Sequence, residues 1–214
     1  VCVALDSLPF DDYLACRKLH LFTTIFFNDD LLGGIRRFLR SIGLSVFRWL
    51  EILSETEPPN QLKNLVDKFL EETRDELWLH RNDLERSIRD KSVIQDYIDG
   101  RKGNNLLFTY KAIALTQMPE VLGQHVVNAT NKLLIENKSH SEEHQEYISD
   151  AVSFHVTQMK DMLEIDAGDP EIEVRYDMLS IIKSGRTFGE LTHYRQPKQY
   201  RFVLTEHQKD SLIR

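Results

Sequence analysis

The sequence predicts a mainly α fold, a bundle of antiparallel helices with a small α/β element near the C-terminus, and three observations carry that prediction. Apolar residues recur at helical spacing through most of the chain, as in Leu62, Leu65, Val66, Phe69 and Leu70. Short polar breaks separate these stretches, among them NDD from Asn28, ETEPPN from Glu55 and DGRKGNN from Asp99, so neighbouring helices are joined by tight loops. Alternation of polar and apolar residues, the mark of a strand, is confined to the region after Ala167.

The first helix spans Pro9 to Asn28, with Ser7 and Pro9 at its entry and Asp11 and Asp12 where the helix dipole favours negative charge. Phe10, Leu14, Leu21 and Ile25 lie on one side, Ala15, Leu19, Phe22 and Phe26 on another, Cys16 and Phe27 on a third. A helix apolar on almost every face is expected to be largely buried. Tyr13, Arg17, His20 and Thr24, spaced i, i+4, i+7 and i+11, fall in one narrow polar arc.

A second helix carries Leu31, Leu32, Ile35, Phe38 and Leu39 on one stripe, with Arg36, Arg37 and Arg40 as its solvated side. Gly33 and Gly34 inside it cost about 1 kcal/mol each relative to alanine, which suits a place where another backbone passes close by. Gly43 ends this helix, Ser45 caps a third, and the prolines of ETEPPN stop that one, with Asn60 placed to cap the next. From Gln61 the helical period runs through Leu77, Leu84 and Ile88, as one long helix or two collinear ones reaching about Asp90. A short helical piece over Val93 to Ile98, a loop, and helices over Leu106 to Thr116, Glu120 to Glu136 and Glu142 to Ile165 follow. Strands are expected at Glu171 to Tyr176 and Tyr200 to Leu204, with a short helix at Asp177 to Lys183 between them and a helix from Thr205 to Arg214 after them. VCVALD at the start reads as the tail of a strand already under way, and the expectation is that this is a piece of a longer protein.

At 214 residues the chain suits one large domain or two small ones. With 34 acidic against 27 basic residues and a net charge of −7, it lacks the cationic surplus that nucleic-acid binding needs. Two cysteines, Cys2 and Cys16, supply neither a disulfide framework nor a four-thiolate site, which points to a reducing cytoplasm. The most apolar run, Leu19 to Phe27, is too short and too interrupted to span a bilayer, so no membrane association is expected. Asn128 and Asn137 stand in glycosylation-type triplets that mean nothing without secretion.

His140-Ser-Glu-Glu-His144 fits the H-x-x-E-H pattern of inverted zinc metalloproteases, in which two histidines share a helix face and a glutamate serves as base. The surrounding ENKSHSEEHQEY is polar, has no apolar flank to exclude water and no third ligand one helix on, and reads as an exposed helix start. No Walker loop or nucleophile elbow is present. Cys16 has no base on its side of the helix and reads as a buried structural thiol; Trp49, Trp78, Tyr97, Phe108 and Tyr110 read as core. The arc of Tyr13, Arg17, His20 and Thr24 fits two readings, the lining of a substrate cavity or a set of polar groups that satisfy buried carbonyls.

The run ALDSLPFDDYLACRKLHLFTTIFFNDDLLGGIRRFLRSIGLSVFRWLEIL, with its serine turn, acidic helix start, DYL and RKLHL, resembles the region after the catalytic barrel in radical SAM proteins that carry a cobalamin-binding domain. DMLSIIKSG and YRFVLTEHQKDSLIR resemble the closing segment of the same C-terminal region. The resemblance covers the chain in outline, and its specific motifs lie in 4–53 and 177–214. It implies an accessory region, inert alone, in a protein that elsewhere binds a [4Fe-4S] cluster through CxxxCxxC, S-adenosylmethionine and cobalamin. No family catalytic, cofactor or metal residue maps onto this chain. The implied organisation is a helical region over 1–57 packed on an upstream barrel of the same polypeptide, a bundle over 58–166 and a closing segment over 167–214, or all three as one domain. Tyr13, Arg17, His20 and Thr24 would then face the substrate cavity. The alternative is a free-standing helical module that binds a protein partner through exposed apolar surface.

Overall fold

The computed structural model describes residues 8–77, 80–100, 102–161, 169–185 and 188–203. The expected strand before Asp6, the helix after Thr205, residues 162–165 and Trp78 lie outside them. The described residues form α1 (Phe10–Phe26), a 3-10 turn (Asn28–Asp30), α2 (Gly33–Ser41), α3 (Val46–Glu55), α4 (Asn60–Asp75), α5 (Arg81–Ser87) and α6 (Lys91–Ile98). There follow α7 (Leu106–Gln117), α8 (Pro119–Glu136), α9 (Glu142–Asp161), β1 (Glu171–Val174), α10 (Met178–Ser184), a second 3-10 turn (Leu191–Tyr194) and β2 (Lys198–Arg201). This is the mainly α bundle with a small α/β element that the sequence predicts. β1 and β2 pair antiparallel, from Glu171 opposite Arg201 to Val174 opposite Lys198. No helix is long and apolar enough, among the described residues, to cross a membrane.

One core runs through all three expected segments. Its centre is α8, which packs on α9 and α3, with α1 laid across α3, α7 and α4. Trp49 of α3 is fully buried there and donates its indole N–H to the Thr130 hydroxyl of α8 at 3.0 Å, so the largest core side chain leaves no polar atom unpaired.

The helix ends follow local chemistry. Ser45 accepts from the Arg48 N–H, as expected of an N-cap. Gly43, at φ +75°, sits in the left-handed position after α2, where its N–H bonds Arg40 O and the Leu44 N–H bonds Leu39 O. These are the paired bonds of a Schellman end, sealed by half-buried Leu44. Pro119 opens α8 at the first turn, where its missing N–H costs nothing. Asn60 departs from expectation: it is the first residue of α4 itself, and Pro59 stands at the cap with no side-chain bond.

Four further expectations are corrected. The first helix is enclosed only in its second half, where Leu21, Phe22, Ile25 and Phe26 are buried; before Arg17 only Leu14 is, and Cys16 is an exposed thiol. The apolar girth is therefore used largely by this chain's own α3, α4 and α7. The pattern after Gln61 does not continue to Asp90: α4 ends at Asp75, and His80 is extended at φ −129° before α5 begins. Among the described residues, the core and the side chains packed on it stop at Leu70 and resume at Leu106. Tyr97 and Phe108 are exposed, Phe108 at 64 %, because α7 turns Leu106, Tyr110 and Ala114 inward and Phe108 lies across the helix from them.

Arg36 is the fourth correction. It is buried beneath α2, donates to Phe27 O at 2.8 Å, pairs with Asp30 and lies over the Phe27 ring at 4.5 Å. Arg40 is exposed as expected.

Candidate functional site

The four residues of the polar arc do not converge. Tyr13 is half-buried and stacks on Phe10, while His20 is exposed. Thr24 is buried, but its hydroxyl donates to His20 O at 2.8 Å, a bond within its own helix. Arg17 alone reaches across a seam: its guanidinium lies 5.3 Å from the centre of the Phe69 ring on α4, and its Nε is buried with no hydrogen-bond partner. The geometry is that of a cation covering an aromatic ring at a helix seam.

His140 and His144 are likewise apart in role. His140 precedes α9 and is exposed; His144 lies in the first turn, donates Nδ1–H to Ser139 O at 2.6 Å and packs edge-on against Phe38. The two are therefore not i and i+4 positions of one helix face. No group of three or more metal-ligating side chains comes together among the described residues.

What the fold does assemble is a buried polar junction where α2, α9 and α10 meet. The start of α2 has no side-chain cap of its own. Its orphan Gly34 N–H donates instead to His155 Nε2 of α9 at 3.2 Å, and the Tyr147 hydroxyl, also from α9, donates to Gly34 O at 2.9 Å. A Cβ on Gly34 would lie 2.9 Å from Met178 Cε of α10, 3.0 Å from His155 Nε2 and 3.3 Å from Tyr147 Oη. The close approach that Gly34 permits is thus made by three side chains, where the sequence suggested a backbone.

The protonation states follow from this geometry. Because Nε2 accepts, the His155 ring proton sits on Nδ1, which faces Gln158 Oε1 at 3.4 Å. Burial pushes the His155 pKa down to about 4, and burial likewise raises that of Tyr147, so one stays a neutral imidazole and the other a phenol. Burial also raises the Asp30 carboxyl, but its pairing with Arg37 at 2.9 Å and with Arg36 outweighs that and leaves its pKa lowered. His125 of α8 is a second buried neutral ring: burial lowers its pKa, and its Nε2–H donates to Leu53 O at 2.8 Å.

The closing segment is tied down separately. Buried Asp150 of α9 accepts from the Arg175 backbone N–H at 2.5 Å and from its Nη1 at 2.7 Å, while Arg195 pairs with Glu146 at 2.8 Å. At the junction Gly34, His155 and Tyr147 engage one another, while Arg36 Nε and Arg37 Nε are buried without a hydrogen-bond partner. The arrangement holds three elements in register.

Clefts open on the surface formed by the described residues. One of about 480 Å³ lies by Arg37, Arg40 and Phe188, one of about 430 Å³ between α4, α5, α6 and α7, and one of about 390 Å³ beside Gly123 and Val156 between α8 and α9. None of these three is lined by Tyr13, Arg17, His20 or Thr24. Of the junction, the sequence marked Gly34 through its cost in a helix; His155 and Tyr147 carried a usable signal, since with Ala151 and Phe154 they share one face of α9.

No family model, no curated protein and no solved structure matches the chain.

Proposed function

We propose that this chain is the accessory C-terminal helical region of a radical SAM protein with a cobalamin-binding domain, without catalysis of its own. One observation carries the reading: the two stretches that bear the resemblance, far apart in sequence, meet at the polar junction. Gly34 of the first stretch touches Met178 of the last, and α2 packs on α10. The described parts of the two stretches pack together through α2 and α10, as they would if both belonged to a single accessory region.

The [4Fe-4S] cluster, S-adenosylmethionine and cobalamin belong in this reading to the parent protein. Two cysteines cannot provide the three thiolates of CxxxCxxC, so no step of that chemistry is assigned to residues here. The same scarcity of cysteine supports a cytoplasmic setting. The partner is the barrel upstream in the same polypeptide, approached through the exposed outer half of α1.

Sequencing the source DNA upstream of the Val1 codon tests the proposal. An in-frame CxxxCxxC a barrel's length away is the expected result. An initiating codon, or an unrelated domain in that place, overturns it and leaves the helical interaction module as the working reading.

A further inference from the structure

The cleft between α4, α5, α6 and α7 belongs to a part of the molecule that the core does not use. Among the described residues, no member of the hydrophobic core lies between Leu70 and Leu106. α5 and α6 bury no residue at all, although Leu84, Ile88, Ile94, Tyr97 and Ile98 are apolar and exposed. Helices of seven and eight residues lie well below the roughly 12–15 at which an isolated helix is even marginal in water. Two such helices with uncovered apolar faces are what remains of a packing unit when its third member is elsewhere.

Two properties of the cleft define that member. Its floor is apolar, with Leu84 from α5, Ile88 just after it, Val93 and Tyr97 from α6 and Leu106 from α7. Ile94 and Ile98 lie one position further round α6, so the apolar surface extends past the cleft and is too broad for a small molecule. Its α4 wall is acidic: Glu72, Asp75 and Glu76 face it, opposed among the lining residues by Lys102, which is itself within 3.9 Å of Asp96. No strand lies beside it among the described residues, so an extended peptide finds no sheet edge to join.

We infer that this cleft is a docking site for a basic amphipathic helix of a partner protein, whose apolar face fills the floor while Lys or Arg at its edge meets the α4 carboxylates. The inference is independent of the radical SAM reading and stands or falls on its own measurement.

A labelled amphipathic Leu/Lys helical peptide, with its Leu/Glu counterpart as control, is titrated into the full chain and followed by fluorescence anisotropy. The Leu/Lys peptide is expected to bind and to slow amide exchange in α5 and α6, and the Leu/Glu peptide not to bind. Affinity falls by about tenfold or more in both Ile88→Ser and the double variant Asp75→Lys, Glu76→Lys. Thermal melts of the variants control for folding, and exposed Arg40→Glu, outside the cleft, leaves binding unchanged. Absence of binding overturns the inference, as does binding that survives both cleft variants, since that is general attraction to an acidic protein. A dimer of the free chain that Ile88→Ser abolishes assigns the face to a second copy and overturns it as well.

Discussion

α2 and α6 are both short helices, and they are held in opposite ways. α2 begins with two glycines, has no cap of its own, and yet is buried, because His155, Tyr147 and Met178 close on it from two other elements. α6 has the better local chemistry, with Asp90 accepting from both the backbone N–H and the hydroxyl of Ser92, and it buries nothing. A capping bond contributes about 1 kcal/mol, whereas a poor helix former with most of its residues buried gains from every contact around them. In this protein tertiary burial, more than local propensity, decides which helix is secure.

Amide hydrogen exchange gives the widest expected contrast. Amides of α8 are expected to open only with global unfolding, on the order of 5–15 kcal/mol, and those of α6 at a cost near zero. Equal protection of the two would break the comparison. Gly34→Val places new atoms against Met178, His155 and Tyr147 and is expected to destabilise by about 3 kcal/mol in urea titration, while the same change at exposed Gly100 acts only through that residue's positive φ.

Acid sharpens the contrast further. The His155 pKa lies near 4 in the folded chain against an ordinary 6.5, so between those values the unfolded chain holds a proton that the folded chain lacks. Stability therefore falls as pH drops from about 6.5 towards 4, by up to about 1.4 kcal/mol per pH unit for this ring, with His125 acting in the same direction. His155→Gln keeps an acceptor for the Gly34 N–H and removes the titration, so its loss between pH 7 and pH 5 is expected to be smaller than that of the wild type. Equal losses in the two proteins would detach the junction from the acid response. The smallest effect belongs to the arm: Ile98→Ser, at a side chain 71 % exposed, is expected to shift the melting midpoint by the equivalent of less than about 0.5 kcal/mol.

The helical period, the breaks at Pro58, Pro59 and Gly43 and the Ser45 cap were legible because each depends on a residue and its neighbours within one turn. What was not legible depends on partners distant in the chain. The wheel of α1 shows apolar side chains nearly all round, but only packing decides that Cys16 stays outside and Phe22 goes in. Three arginines on α2 look alike in sequence; Arg36 is taken inside because Phe27 O, the Phe27 ring and Asp30 are all within its reach. The arc of Tyr13, Arg17, His20 and Thr24 is a true helical face that no single neighbour covers, so its members meet solvent, an aromatic ring and their own backbone by turns. His155 was invisible as a cap because nothing near it in sequence needs capping.

That last bond has a consequence for the order of folding. Gly34 and His155 are 121 residues apart, and at about 5–20 residues per second roughly 6–24 s separate their synthesis. Until His155 is made, the first turn of α2 lacks this partner and its glycines favour the coil. A chain that stops before α9 can pack α1 and α3 on α4, α7 and α8 but lacks the two side chains that secure the start of α2.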